Sequence, residues 1–242
     1  MKFYEVKIEE RKVLGSYTLL RYRWRGTIEP GQFVMVRAAG YPVSLDPFLA
    51  RPFSFYDHDG ETASLLFEVR GRGTANLDLA TTIEVTNPLG KGFRIEPGLG
   101  RAALLGGGIG VAPLKILARH LDAMDLTYDV FLGFADERSS VVAREFPGAE
   151  VATMDGTVGT LGTVLDTGVA LQDYGAIYSC GPNPMLAAVK LAAGDGVVCQ
   201  LSVEERMGCG NGSCNGCVVP VRDGYVRSCI EGPVFDAEAL AW

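Results

Sequence analysis

Four of the six cysteines lie between positions 209 and 229, in the spacing Cys209-x4-Cys214-x2-Cys217-x11-Cys229. Three thiols share one glycine-rich loop, CGNGSCNGC, and the fourth returns from beyond a hairpin. Four thiolates in a C-x4-C-x2-C…C pattern suit a plant-type 2Fe-2S cluster, so Cys209, Cys214, Cys217 and Cys229 are the expected iron ligands. Loop glycines allow backbone N–H groups to turn toward the anionic sulfur atoms. A structural zinc site is the alternative, but zinc knuckles come as paired C-x2-C units and only Cys214 and Cys217 form one. A disulfide framework is disfavoured, because MKFYEVKIEERKV alternates charged and apolar residues where a signal peptide needs an unbroken apolar run. His58 and His120 are the only imidazoles, too few for an easily built His-rich metal site or hydrolytic triad. Redox chemistry leads.

A second group of residues could hold a dinucleotide. Leu104 to Leu114, LLGGGIGVAPL, reads as a strand, a glycine turn and a helix start. Gly106, Gly107, Gly108 and Gly110 would permit close backbone approach, and the helix N-terminus favours a pyrophosphate. A tight turn made only for packing would look similar. Cys180-Gly181-Pro182 falls where the last long strand of this region should end, so Cys180 could lie near a nicotinamide ring, or the turn could be structural. Cys199 reads as a buried structural thiol. Nearer the N-terminus, Arg51-Pro52-Phe53-Ser54-Phe55 offers a cation for phosphate, an aromatic face for a ring and a hydroxyl for a ring nitrogen. Gly71-Arg72-Gly73-Thr74 could set N–H groups and a hydroxyl against a pyrophosphate, although a simple turn is equally allowed.

Those residues need elements to position them. To about Pro97 the chain reads as short strands (VKIEERKV, YTLLRYRW, QFVMVRA, FSFY, ASLLFEVR, TIEVT) with no convincing helix, which predicts an antiparallel β barrel. From residue 98 to about 200, strand-like AALL, YDVFLGFA and AIYSC alternate with helix-like PLKILARHLDAM and MLAAVKLAA, which predicts an α/β domain with a parallel sheet. Residues 201–242 form a third unit, with a hairpin in CVVPVRDGYVRSC turning at Asp223-Gly224. Forty residues bury little core, so a metal centre would supply stability. The 242 residues thus divide into 1–97, 98–200 and 201–242.

Composition excludes other classes. A net charge of −7 leaves no basic field for nucleic acid. The longest weakly polar stretch, Ala102 to Leu114, is too short to span a bilayer and carries four glycines. A cytoplasmic protein without membrane attachment is expected.

Taken in order, PGQF (from Pro30), RPFSF (from Arg51), GRGT (from Gly71), PLGKGF (from Pro88), GGGIGVAPL (from Gly106), CGPNPM (from Cys180) and the C-terminal cysteines resemble the ferredoxin-NADP reductase superfamily over nearly the whole chain. More narrowly, SVEERMGCGNGSCNGC followed by DGYVRSCIEGPVF resembles the electron transfer subunits of type B dihydroorotate dehydrogenases. The resemblance implies an FAD-binding barrel, an NAD-binding α/β domain and a terminal 2Fe-2S module facing a catalytic, FMN-containing dihydroorotate dehydrogenase subunit, in a heterotetramer with two subunits of each kind. It assigns Arg51, Pro52, Phe53 and Ser54 to the flavin, with Phe67 and Val69 of the ASLLFEVR strand, and Gly73 and Thr74 to its pyrophosphate. Gly106, Gly107, Gly108, Gly110, Cys180, Gly181 and Pro182 would line the nicotinamide site. Phe53 stands where the superfamily often has Tyr, and LATTIEV lacks the usual Gly-Asp turn.

The implied chemistry joins a two-electron carrier to a one-electron one, with FAD as the converter. No general base is needed here; Ser54 is expected to tune the flavin and Cys180 to sit beside the reacting nicotinamide. Electrons from dihydroorotate oxidation in the partner would enter through the cluster and leave on NAD+, as a step of pyrimidine biosynthesis. Glu204 and Glu205, just before the cluster loop, could approach the flavin but read better as a solvated surface pair, and Asp136 and Glu137 would disfavour a 2′-phosphate, opposed by Arg138. The rivals are a ferredoxin- or hydrogenase-linked NAD(P)H oxidoreductase subunit and a zinc-stabilised binding module.

Overall fold

The computed structural model describes residues 1–39, 46–96, 98–194 and 196–242. Its N-terminal part is a closed antiparallel barrel of β1 (Phe3–Leu14), β2 (Tyr17–Arg23), β3 (Phe33–Ala38), β4 (Arg51–His58), β5 (Thr62–Glu68) and β6 (Thr82–Thr86), in the order β1-β2-β5-β4-β3-β6. Each strand-like segment read from the sequence is found. The barrel fills with inward side chains such as Leu20, Tyr22, Val34, Phe55, Leu65 and Ile83. One element was not foreseen. Helix α1 (Arg72–Leu79) stands where GRGT was expected to be a turn. Its signal is short: only Leu77 and Gly73 are buried, so no apolar stripe marks it.

The second layer is a seven-stranded sheet. It is built from β7 (Ala102–Gly107), α2 (Ala112–Ala123), β8 (Tyr128–Phe134), the single turn α3 (Glu137–Ser140), β9 (Glu150–Thr153), β10 (Thr160–Leu161), β11 (Ala176–Cys180), α4 (Asn183–Ala193) and β12 (Val198–Ser202). These strands pair in parallel in the order β10-β9-β8-β7-β11-β12. Central β7 and β11 are buried along their whole length, as strands covered on both faces must be. Helix α2 carries Leu114, Leu117 and Leu121 into a core that also takes Tyr17, Leu19, Tyr56 and Leu66 of the barrel, so one hydrophobic cluster spans the junction. Arg119 of α2 grips Asp57 of β4 through Nε and Nη2, both at 2.6 Å.

The C-terminal part is less separate than its composition implied. Hairpin β13 (Val218–Val221) and β14 (Gly224–Arg227) is followed by the turn α5 (Ser228–Glu231) and β15 (Val234–Asp236). Strand β15 pairs antiparallel with β12, closing the edge of the main sheet. Val219, Phe235 and Leu240 are buried with Leu105, Ile177 and Leu201 of the sheet. Thus the tail borrows a core instead of building one. The hairpin turn is Arg222-Asp223, one residue earlier than expected, since Val221 pairs with Gly224. Among the described residues, no helix is long and apolar enough to cross a membrane.

Candidate functional site

Strand β3 pairs with β4 so that Phe33 lies opposite Ser54 and Val34 opposite Phe53. This register presents Pro52, Phe53 and Ser54 to a cleft between the barrel and the rest of the molecule. Phe67, Arg70 and Thr74 border it from the barrel, Ile109, Ala112 and Pro113 from the start of α2, and Glu204, Glu205 and Met207 from the segment leading to the cysteine loop. Its volume of about 250 Å³ is small beside the roughly 300–1,000 Å³ of typical ligand pockets, so it suits a ring system more than a whole dinucleotide. Phe53 and Phe67 pack with ring centroids 5.5 Å apart, a tilted aromatic pair on the wall.

The remaining flavin candidates surround the start of α1. Thr74 Oγ1 accepts from the N–H groups of Arg70 at 2.9 Å and Gly71 at 3.2 Å, while it donates to the Gly71 carbonyl. A Cβ at Gly73 would fall 2.2 Å from Arg51 Nε, so glycine lets the guanidinium lie against the helix start. Arg51 also donates to the Leu49 carbonyl. Val69 is exposed and is not part of the cleft wall.

The glycine loop and Cys180-Gly181-Pro182 meet at the carboxyl ends of β7 and β11, where Cys180 pairs with Gly106. A Cβ at Gly110 would stand 2.3 Å from the Cys180 carbonyl oxygen, and one at Gly107 only 2.4 Å from Met185 Sδ. Gly181 is equally tight, 2.8 Å from Met185 Cε. Backbone packing thus requires glycine at Gly110, whereas Gly107 and Gly181 make room for the flexible Met185 side chain of α4. Among the glycines of these two loops, Gly108 is the one with a left-handed φ, 54°. Cys180 is buried and lies off the cleft wall; its register partner Ser202 is on it. Burial pushes the Cys180 thiol far above its ordinary range, which keeps it a neutral thiol. Cys199, also buried, is pushed up to about 12 by the same cause.

Glu204 and Glu205 were expected to be a solvated pair. Glu204 does keep exposed surface, yet both line the cleft. Burial raises the Glu204 carboxyl, and Arg70 across the cleft opposes the rise. Tyr17, behind the same wall, is pushed up to about 12 by burial first and by Glu68 next. Asp136 follows the carboxyl end of β8 and caps α3, accepting from Ser139 N and Oγ at 2.8 Å each. Those bonds hold its carboxylate ionised, with its pKa below the usual range.

At the cysteine loop the four thiols fall into two pairs. The Cys214 N–H donates to Cys209 Sγ at 3.4 Å, and the Gly216 N–H to Cys214 Sγ at 3.4 Å. Burial works against the Cys209 thiolate, but the N–H groups of Asn211 and Cys214 and the Cys214 thiol outweigh it and bring the pKa down to about 7. Cys217 and Cys229 are buried against each other; burial first, then the hydrogen bond and charge of Cys217, pushes Cys229 up to about 12. Among the described residues no three His, Cys, Asp or Glu side chains gather around a point as one metal ion would require. A 2Fe-2S cluster asks for something else, two thiolates on each of two irons. The pairs Cys209/Cys214 and Cys217/Cys229, with N–H groups already turned to sulfur, fit that donor set.

Residues 204–241 match the model of the iron-sulfur cluster binding domain of dihydroorotate dehydrogenase B. Over 248 residues the chain is 37% identical to the dihydroorotate dehydrogenase B (NAD(+)) electron transfer subunit of Caldanaerobacter subterraneus subsp. tengcongensis, covering 96% of each. The chain belongs to the dihydroorotate dehydrogenase B electron transfer subunit family. Bacillus caldolyticus supplies another such relative, 40% identical over 223 residues, covering 86% of this chain and 85% of that one. Among solved structures, an NADH-dependent reduced ferredoxin-NADP oxidoreductase studied for flavin-based electron bifurcation superposes with a TM-score of 0.83 at 25% identity, covering 98% of this chain and 90% of that one. Phthalate dioxygenase reductase, at 14% identity and a TM-score of 0.64, shares the fold.

For this member of the electron transfer subunit family, sequence reasoning missed Phe33, Arg70, Ile109 and Met207 on the cleft wall. Arg70 directly precedes the GRGT segment, a signal that was available. Phe33 and Met207 stood inside the quoted motifs PGQF and SVEERMGCGNGSCNGC, but nothing local marked either as a cleft residue, because they reach the cleft from strands and loops distant in the chain.

Proposed function

We propose that this chain carries electrons between a catalytic dihydroorotate dehydrogenase subunit and NAD+ through a 2Fe-2S cluster and FAD. The observation that carries the reading is the cleft itself. There Pro52, Phe53 and Ser54 of the barrel face Glu204 and Met207, which lead straight into the cysteine loop. Functionally the barrel (1–97) serves the flavin, the sheet (98–200) the nicotinamide and the tail (201–242) the cluster, with β15 lending the tail's last strand to the sheet.

When bound, FAD would exchange hydride with nicotinamide and single electrons with the cluster. The chain's own residues bind, orient and insulate. Phe53 and Phe67 offer aromatic surface to the ring, and the Ser54 hydroxyl a hydrogen bond to a ring nitrogen. Arg51, Gly73 and Thr74 gather at the start of α1, where N–H groups and a cation favour a pyrophosphate. The joined ends of β7 and β11, with Gly106, Gly107, Gly108, Gly110, Cys180, Gly181 and Pro182, form the nicotinamide side, and Asp136 beyond β8 favours NAD by repelling a 2′-phosphate. Cys180 as a neutral thiol acts by packing and polarity. Cys209, Cys214, Cys217 and Cys229 hold the irons, and exposed Cys214 marks the side open to the partner. The complex is a heterotetramer with two copies of each subunit. The chain is assigned to the reducing cytoplasm, where cysteine thiolates stay available to iron.

The likeness to a ferredoxin-NADP oxidoreductase keeps one rival reading alive, in which only the electron partner differs. Both are tested together. Anaerobically prepared protein should show flavin bands with a broad iron-sulfur shoulder, and with the catalytic subunit it should form NADH from dihydroorotate. Cys214→Ser should lose the iron signal and this coupling while keeping some NADH-to-dye activity. A colourless protein sinks the redox reading, and a coloured one that never couples to dihydroorotate oxidation favours the rival.

A further inference from the structure

The cleft and the cysteine loop are joined by one continuous apolar seam. Phe33 and Met207 both line the cleft, and both belong to the packed group that encloses Met35, Cys217 and Cys229. Phe33, Met35, Cys217 and Cys229 are each no more than 2% exposed, and Met207 packs partly buried against them, so the seam is close-packed from the cleft wall to the cysteine pair. Phe33 is held in place from three sides. Its backbone exchanges hydrogen bonds with Leu89 at 3.1 and 2.8 Å, it lies opposite Ser54, and a Cβ at Gly90 would stand 2.9 Å from its ring. Met207 reaches the same place from the other direction, two residues before Cys209. Gly210 seats the loop on Met35, since a Cβ there would fall 2.6 Å from Met35 Cγ.

We infer that Phe33 and Met207 form the electron path between the flavin site and the cluster. This rests on the cofactor assignment proposed above. Electron transfer through protein depends on unbroken contact between donor and acceptor, and a close-packed interior supplies contact that a void or a water-filled gap does not. In the direction the test reads, the reverse of the one proposed above, bound FAD would take hydride from NADH, leaving NAD+, and would pass its two electrons singly to the cluster, the second once the partner had reoxidised it, with Phe33 and Met207 supplying the contact between the two sites. Neither side chain gains or loses an electron or a proton. They are positioning residues.

The test uses the assembled complex with both cofactors loaded, mixed anaerobically with NADH while the flavin and iron-sulfur bands are followed separately. Met207→Ala opens a void in the seam and is expected to slow the cluster phase several-fold more than the flavin phase. Met207→Leu, which refills the volume, should restore the wild-type ratio. Iron content should match the parent, because the four thiolates are unchanged, and both midpoint potentials are measured by spectroelectrochemical titration to separate a change in driving force from a change in the path. If Met207→Ala sheds a cofactor, Phe33→Leu makes the same comparison from the barrel side. A cluster phase unaltered in the loaded variants, or a slowing matched by shifted potentials, overturns the path. Parent protein lacking flavin or iron would instead sink the underlying assignment.

Discussion

Glu204 is where local environment and chemistry meet most directly. A glutamate in the unfolded chain titrates near about 4.3. In the fold the carboxyl lies against the cleft wall while keeping exposed surface, and this partial burial raises it, with Arg70 opposing. Keeping it ionised therefore costs stability above the folded pKa, and the cost vanishes as the pH falls toward the unfolded value. Glu204→Gln removes that cost. The variant should melt at a higher temperature than the parent at about pH 7, and the gap should close by about pH 4. Thermal melts across this range check it; a gap independent of pH would mean that burial of the charge is not the cause. Cys180 gives the contrasting lesson. Its place at the end of β11 fits the nicotinamide side proposed above, and burial that holds the thiol neutral leaves it packing and polarity, not nucleophilic attack, as its means of acting there.

At the scale of elements, the ends of β7 and β11 act as one piece because glycine lets their loops touch. Gly110→Ala would push a methyl group to 2.3 Å from a backbone carbonyl that cannot swing aside. We expect a loss of roughly 1–3 kcal/mol in urea unfolding, typical of overpacking, together with weaker NADH binding. A stability equal to the parent's would show that the two loops separate readily. The elements themselves were largely legible: all six barrel strands and both long helices of the sheet domain follow the apolar periods of 2 and 3.6. Helix α1 was not, because an eight-residue helix with one buried leucine carries almost no periodic signal. Its cap, Thr74 bonded to Arg70 and Gly71, is the feature that makes GRGT a helix start and not a plain turn.

For the molecule as a whole, the question is how far the tail depends on its metal. Short of core by itself, the segment was expected to lean on the cluster. The fold divides that dependence. Val219, Phe235 and Leu240 are anchored in the sheet's core, whereas residues 205–216 contain no strand or helix and few buried side chains. Removing iron with a chelator under reducing conditions should therefore accelerate amide hydrogen exchange in residues 205–216 by orders of magnitude. The hairpin and β15 should stay protected to nearly the level of β12. Exchange that spreads evenly over 205–242 would show that the cluster, not the shared core, holds the tail.

What the sequence determined by itself were the groups whose chemistry survives any arrangement: four thiols at cluster spacing, two glycine loops at strand ends, an Arg-Pro-Phe-Ser strand, and the periods that make a barrel precede an α/β sheet. Spacing along the chain is enough there, because each group acts through neighbours a few residues away. Tertiary structure alone decided which distant residues share a wall. Phe33 and Met207 lie 174 positions apart, yet both meet the cleft and the cysteine pair, and Glu204 acquires its raised pKa only by facing the barrel. Those are consequences of packing one surface on another, and no local pattern encodes them.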